Sequence, residues 1–307
     1  MSTASTVSTP ETAGTSSRRG GGRVGRKALR GAAMTSFPTL VRKIPVYEIV
    51  PDEAVELIHN ESLSILEDVG CEFRDDEAIA MWKQAGADVS GTRVRFDRAL
   101  LMDLVSKVPA EFTLNARNPE RSVQVGGRNS VFVPMYGAPY VRDLDNNRRY
   151  GTLEDLNNFH KLAYMAPALH SSSSIICEPM EIAVPKRHLH IIHSALKHSD
   201  KPFMGIVTSK DRAEDTMAMA GIVFGEDYVR DNPVLVSITN CNSPLVWDAT
   251  MLDAMKVYAR HNQPLILAPF ALCGASTSAS AVGAVAQVNA EALAGVAFTQ
   301  LVRPGSP

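Results

Sequence analysis

The 307-residue sequence is 45% hydrophobic, which is enough for a sizeable core in one large domain or two ordinary ones. Its charged fraction of 21% and its formal net charge of −2 argue against a nucleic-acid-binding surface. We find no apolar run of about 18–20 residues, so the sequence predicts no membrane span. The four cysteines lie far apart and form no CxxC pair, which argues against a zinc ribbon or a redox dithiol and favours a reducing, cytoplasmic compartment.

Residues 1–36 form a basic segment rich in serine, threonine and glycine. Six basic residues and one acidic residue give it a net charge of +5, whereas the rest of the chain carries −7. Because it has almost no large apolar side chains to offset the entropy of ordering, we expect a disordered tail. An electrostatic arm and a mitochondrial transit peptide are the functional alternatives. No apolar stretch follows Arg18 and Arg19, which argues against a secretory or twin-arginine signal.

Residues 37–128 predict a small N-terminal α+β module. Apolar residues at near-helical spacing after Asp52 predict a helix that ends at Gly70, where a C′ glycine belongs. We expect two further helices at 75–85 and 96–108, and short strands at 94–96 and 111–115.

Residues 129–307 alternate short apolar strands with longer helices, which indicates a parallel sheet. We count five strand–helix units, with strands at 130–135, 172–177, 203–207, 234–240 and 265–270. A doubly wound sheet or a (β/α)8 barrel, which needs eight units, would accommodate them. Neither GxGxxG after a strand nor GxxxxGK[ST] occurs, so no nucleotide-binding motif supports the doubly wound sheet.

Four segments, taken in order, resemble the trimethylamine methyltransferase family. They are LIHNESLSILEDVG from Leu57, YGAPYVRDLDNNRRYGTLED from Tyr136, SPL from Ser243 and QVNAEALAGVAFTQLVRPGSP from Gln287. The resemblance implies a (β/α)8 barrel of the TIM type that moves a methyl group from a methylated amine to the cobalt of a corrinoid protein. It also implies that most bacterial members lack pyrrolysine and that some act on quaternary amines such as glycine betaine.

Members of this family are longer and continue beyond the counterpart of Arg303, Pro304 and Gly305. The comparison implies that three strand–helix units, with the pyrrolysine position of the archaeal enzymes, would follow Pro307. We therefore expect an incomplete barrel in a truncated chain, or a natural short variant that a partner chain completes. An incomplete barrel leaves an open sheet edge, which predicts a chain that is poorly soluble or forms homo-oligomers.

Methyl transfer from a quaternary amine to cobalt is an in-line displacement, in which the corrinoid brings the reactive atom and the enzyme orients the substrate. We therefore expect the chain to bind no cofactor directly and to meet a corrinoid protein at a wide mouth. A fully methylated ammonium donates no strong hydrogen bond. It favours aromatic faces and carboxylates, which a barrel would place at the carboxyl ends of its strands.

Six residues near predicted strand ends are candidates for substrate binding: Tyr136, Glu178, Asn240, Asn242, Trp247 and Phe270. Tyr136 would face the cation or cover the core, and Glu178 would add a negative field or lie in a solvated loop. The two asparagines suit hydrogen bonds to a carboxylate or to the loop backbone. Trp247 would pack over the mouth or against its helix, and Phe270 favours the core over the site. The sequence assigns no catalytic residue.

Histidines and cysteines provide a weaker, metal-based hypothesis. One predicted helix carries three histidines that do not share a face, and no carboxylate completes a ligand set: His188, His190 and His193. Three cysteines follow predicted strands and would suit a substrate-activating zinc, although cysteine is also an ordinary core residue: Cys177, Cys241 and Cys273.

Three polar residues interrupt the alanine-rich last helix: Gln287, Asn289 and Glu291. Gln287 and Glu291 are four residues apart and share a face. This face would contact a neighbouring subunit, the missing units or solvent.

The leading hypothesis is a methyltransferase that transfers a methyl group from a tertiary or quaternary amine, such as trimethylamine or glycine betaine, to a corrinoid protein. A non-catalytic ligand-binding or scaffold chain is the first alternative. A barrel enzyme that uses a cysteine-bound zinc is the second.

Overall fold

The structure is a computed structural model that describes residues 40–307. The predicted basic tail at 1–36 lies outside the described residues. The helices are α1 (Asp52–Ser64), α2 (Asp76–Gln84), α3 (Arg98–Val105), α4 (Leu153–Met165), α5 (Val184–His198), α6 (Lys210–Phe224), α7 (Glu226–Asp231), α8 (Ala249–Arg260) and α9 (Ala281–Val302). The strands are β1 (Leu40–Val41), β2 (Cys71–Phe73), β3 (Asp88–Ser90), β4 (Arg93–Arg95), β5 (Glu111–Leu114), β6 (Val123–Gly126), β7 (Asn129–Ser130), β8 (Tyr140–Arg142), β9 (Arg148–Tyr150), β10 (Phe203–Met204), β11 (Leu235–Asn242), β12 (Val246–Trp247) and β13 (Leu265–Phe270).

The N-terminal helices begin and end where local chemistry predicts. α1 continues as one π-helical turn and stops at Gly70, whose φ of 74° suits glycine. Asp75 and Asp97 cap α2 and α3, because their carboxylates accept hydrogen bonds from the first backbone N–H groups. The three predicted helices of this module are therefore present, with shorter ends than expected.

Five extended segments lie side by side in chain order and form the parallel sheet: 131–138, 170–178, β10, β11 and β13. Gly137 N–H donates to Ile175 O at 2.7 Å, and Ser172 N–H donates to Pro202 O at 2.9 Å. β10 pairs parallel with β11, which pairs parallel with β13. A doubly wound sheet places strands out of chain order, so this order argues against it. Residues 40–307 thus form a mixed α/β fold in which the sheet does not close.

The first two segments are less regular than the predicted strands at 130–135 and 172–177. Regular parallel pairing between them is limited to a bridge from Ala138 to Cys177. Ser173 has a φ of 57°, which interrupts the extended conformation of the second segment. The β8–β9 hairpin, which joins the first segment to α4, was not predicted because its strands are mostly polar and four of the five residues in its turn, 143–147, are polar.

Helices cover one face of the parallel sheet. Leu156 of α4, Ile192 of α5 and Tyr258 of α8 belong to the same buried cluster as Phe203 and Leu235 of the sheet. At the amino-terminal end of the sheet, the β5–β6 hairpin adds Leu114 to a small cluster with residues of β10 and β11. The carboxyl ends of the five segments lie at the end of the sheet opposite this hairpin.

A second core crosses the predicted boundary near residue 128. β12 pairs antiparallel with β11 and parallel with β2, which links the two regions through one sheet. Trp82 and Phe96 pack in one buried cluster with Trp247 and Phe298. The N-terminal module and the parallel sheet therefore share a packed interior.

The last helix corrects the expectation that no segment is long and apolar enough to cross a membrane. α9 has 22 residues and passes that test by length and composition. The polar residues within it concealed the run in the sequence. Ala290, Ala294 and Phe298 are buried in the second core, so the packing of α9 is that of a core helix.

Candidate functional site

β11 directs its side chains alternately towards the helices and away from them. Ser237, Thr239 and Cys241 are buried, whereas Asn240 and Asn242 are exposed. Because side chains alternate along a strand, the two asparagines share the sheet face opposite the helices. This face is called the open face below.

Phe270 joins the asparagines on the open face. In the parallel pairing of β11 with β13, Asn242 is opposite Phe270 and Asn240 is opposite Ala268. The Phe270 residue is 67% exposed, which rules out the core position that the sequence favoured. An amide, a small residue and an aromatic ring therefore lie together at the carboxyl ends of two neighbouring strands.

Tyr136 and Glu178 lie at the carboxyl ends of the first two segments. Glu178 N–H donates to Ala138 O at 2.8 Å, which joins the segments beside Tyr136. Burial and the nearby charge of Glu178 raise the pKa of Tyr136 to about 12. The phenol is therefore neutral at physiological pH and keeps its proton for donation, although 37% of the residue is exposed.

The charge of Glu178 is only weakly paired. Arg187 approaches it at 3.7 Å, which is longer than a hydrogen bond. The same guanidinium donates to Ile182 O at 3.0 Å and to Met180 O at 3.5 Å. Arg187 thus holds the loop after Glu178. It leaves the Glu178 carboxylate without a hydrogen-bonded cation at the carboxyl end of the second segment.

Trp247 lies apart from the open face. It is fully buried and belongs to the second core. An ideal Cβ at Gly295 of α9 would lie 2.5 Å from its ring, so the indole packs directly against the helix backbone. Trp247 therefore packs in the second core against α9, which is not the helix that the sequence analysis considered.

Two carboxylates that sequence analysis did not select as site residues hold the loop after β11. Asn242 Nδ2 donates to Asp248 Oδ2 at 2.5 Å, and Asp248 also caps α8. Glu291 of α9 accepts hydrogen bonds from Ser243 and Leu245. A lone acidic residue in an alanine-rich helix was the signal for Glu291, but its partners lie 46 and 48 residues away in sequence.

The cysteines do not converge on a metal site. Cys177 and Cys241 are buried in different cores, whereas Cys273 is exposed. Burial raises the pKa of the Cys177 thiol to about 12, which opposes the thiolate that zinc requires. Among residues 40–307, no three histidine, cysteine or acidic side chains are grouped as metal ligands.

The three histidines of α5 are also separate. His188 is buried, and its Nε2 lies 2.7 Å from Asp215 Oδ2 of α6. His190 and His193 line a groove on the outer side of the helices.

Comparison with known proteins identifies the family. A model described as Trimethylamine methyltransferase (MTTB) matches residues 18–307, so the chain belongs to the trimethylamine methyltransferase family. The chain is 42% identical to the glycine betaine methyltransferase of Desulfitobacterium hafniense (strain Y51) over 265 residues, which is 86% of this chain and 55% of that protein.

Two proteins of Eubacterium limosum are also similar. The identity is 29% over 266 residues to proline betaine:corrinoid methyltransferase and 30% over 265 residues to L-carnitine:corrinoid methyltransferase. Each match covers 82% of this chain and 54% of the relative. The chain therefore spans about half the length of the curated relatives it matches.

Proposed function

We propose that this chain acts as a methyltransferase, moving a methyl group from a small methylated amine to a corrinoid carried by a partner protein. The observation that carries the proposal is the family match over 18–307, together with 42% identity to a glycine betaine methyltransferase. The names of the other relatives, which include proline betaine and L-carnitine enzymes, support a quaternary amine as the substrate class.

The parallel sheet would form part of a (β/α)8 barrel of the TIM type. Its segments follow one another in chain order, as barrel strands do, and its helices lie on a single face. Barrel enzymes place their sites at the carboxyl ends of the strands. The exposed side chains of Asn242 and Phe270 occupy such ends.

In this proposal, the carboxyl ends of the strands bind the substrate through three kinds of contact. The Phe270 ring and the Tyr136 ring face the methylated ammonium, while Glu178 supplies negative charge. The amides of Asn240 and Asn242 donate to a substrate carboxylate, as in a betaine. Asn240 suits this role because its side chain makes no hydrogen bond to any residue between 40 and 307.

The corrinoid supplies the nucleophilic cobalt when its carrier protein docks. The exposure of the open face at Phe270 and Asn242 fits a group that arrives on another protein. The role of the chain is then to hold one methyl group in line for transfer, with the remaining amine as a neutral leaving group. We expect no cofactor bound directly to this chain, and a cytoplasmic location, since all four cysteines are free thiols.

Methylation of cob(I)alamin by the purified chain tests the proposal. Glycine betaine, proline betaine, L-carnitine and trimethylamine would be supplied in turn, with the change in cobalamin absorbance and the demethylated amine as readouts. We expect transfer from at least one quaternary amine. Binding of an amine in calorimetry without transfer would instead favour the ligand-binding alternative. The proposal would be overturned if the chain showed no binding and no transfer with any of the four amines.

A further inference from the structure

Glu291 is a buried carboxylate with a complete set of neutral donors. The residue is fully inaccessible to solvent. Its Oε2 accepts from Ser243 Oγ at 2.6 Å, while Oε1 accepts from Leu245 N–H at 2.8 Å and from Gln287 Nε2 at 2.9 Å. Every contact is a donor to the carboxylate, which is the pattern that an ionised group requires.

No cation pairs with Glu291 among residues 40–307. Lysine, arginine and histidine side chains form ion pairs elsewhere in this part of the chain, but none lies within 4.0 Å of this carboxylate. A buried charge is costly unless it is paired or well hydrogen-bonded. Neutral donors alone therefore satisfy the Glu291 carboxylate, directly behind the loop that follows Asn242.

The same helix face fixes the loops that carry the open-face residues. Leu245 has a φ of 56°, a left-handed conformation that branched-chain residues seldom adopt, and Glu291 holds its N–H. Gln287 donates to Glu291 and also to Ser276 O at 3.0 Å, in the loop after Phe270. Two neighbouring side chains of α9 thus support the loops after β11 and β13.

We infer that Glu291 is a positioning residue whose charge selects a cationic trimethylammonium group over an uncharged group of the same shape. The inference rests on the proposed function, because it assumes that the ammonium binds beside Asn242 and Phe270. The carboxylate touches the residue next to Asn242, so its field reaches the open face through protein rather than through bulk water. Gln287 orients the carboxylate and contributes no charge.

Paired ligands separate charge from shape. Glycine betaine and 3,3-dimethylbutanoate have the same outline and the same carboxylate, but only glycine betaine carries a positive charge. Calorimetric dissociation constants would be measured for the full chain and for three variants. E291Q removes the charge, E291D keeps it, and Q287A keeps it while releasing the loop contact.

We expect E291Q to weaken glycine betaine binding about 10-fold, whereas 3,3-dimethylbutanoate, an anion that the Glu291 charge would only repel, should bind as tightly as before or more tightly. E291D should retain the preference for the cation, and Q287A should weaken both ligands by a similar factor. Equal losses for both ligands in E291Q, or no loss, would overturn the inference even when the proposed function holds. If the unaltered chain, folded by circular dichroism, binds no methylated amine, both the proposed function and this inference fail.

Discussion

Asn242 lies directly opposite Phe270 in the parallel pairing of β11 with β13, so the amide and the aromatic ring leave the sheet on the same face. The Phe270 residue is 67% exposed and adds little to the core. A ring held at a strand end beside an amide suits a ligand that has a methylated cation at one end and an acceptor at the other. The proposed role of Phe270 in binding is therefore separable from its contribution to stability.

The first prediction concerns Phe270→Ala. Removal of the ring should raise the dissociation constant for glycine betaine about 3- to 30-fold, because an aromatic–cation contact is worth about 0.5–2 kcal/mol. The melting temperature should change little, since the side chain is largely exposed. Phe270→Tyr should preserve binding, and Val282→Ala, at a 59% exposed position on α9, is the surface control. A large loss of melting temperature without a change in affinity would contradict the prediction.

Sequence patterns predicted strands β11 and β13 and every α-helix between residues 40 and 307 except the short α7, because these elements have strong local signals. Thr152 caps α4 with a complete capping box, and the apolar run of β13 matches its observed bounds. The burial of Trp247 could not be predicted from local signals, because it depends on the absence of a side chain at Gly295, 48 residues further along the chain. Glu291 was also missed as a loop support, since its partners are distant in sequence.

The pairing of Asn242 with Phe270 could be predicted only in part. Both residues were selected because they end apolar strands, and strand ends are where a barrel binds its substrates. Their shared face depends on the register between β11 and β13, which a single sequence does not reveal. The irregular segment at 170–178 shows the same limit, because the sequence carries no local signal for the left-handed conformation of the buried Ser173.

A second prediction compares two helical glycines that receive the same change. In Gly295→Ala, the new methyl group would lie 2.5 Å from the Trp247 ring and 3.0 Å from Leu267 Cδ1. Since overpacking a rigid core costs about 1–3 kcal/mol, we expect a lower free energy of unfolding. In Gly221→Ala, the nearest atom belongs to the flexible side chain of Glu226, at 3.1 Å.

The Gly221→Ala change should stabilise the chain by up to about 1 kcal/mol, because alanine favours the helix over glycine. Urea unfolding of both variants would measure the two effects under one set of conditions. The interpretation of α9 packing would be wrong if Gly295→Ala were as stable as the unaltered chain.

A third prediction concerns pH and His160. This residue is fully buried, its Nδ1 lies 2.7 Å from Ser194 Oγ, and burial lowers its pKa to about 4. Between pH 4 and the ordinary value of about 6.5, the unfolded chain binds the proton and the folded chain does not. Stability contributed by the neutral imidazole is therefore present above about pH 6.5 and is lost as the pH falls towards 4.

Lowering the pH from 7 to 5 should cost roughly 2 kcal/mol through His160. His160→Gln cannot titrate, so its free energy of unfolding should fall less over the same interval, whatever its stability at pH 7. Urea unfolding at both pH values would measure this difference, and the remaining histidines are common to both proteins. Identical pH dependence in the two proteins would show that His160 is not the titrating group.

The last prediction concerns self-association through the edges of the parallel sheet. β13 pairs with β11 along one side, and within residues 40–307 no further strand pairs with its other side. Ile266 is 47% exposed on β13, and Met135 is 70% exposed on the segment at the opposite edge. Unpaired backbone beside exposed apolar side chains favours pairing between chains, so sedimentation velocity over a concentration series should show oligomers.

Ile266→Lys combined with Met135→Lys should shift the chain towards monomer, because charges on an edge oppose pairing, whereas Val282→Lys on α9 should not. A chain that is monomeric at every concentration would show that these edges are not adhesive, and equal association of the charged variant would place the contact elsewhere.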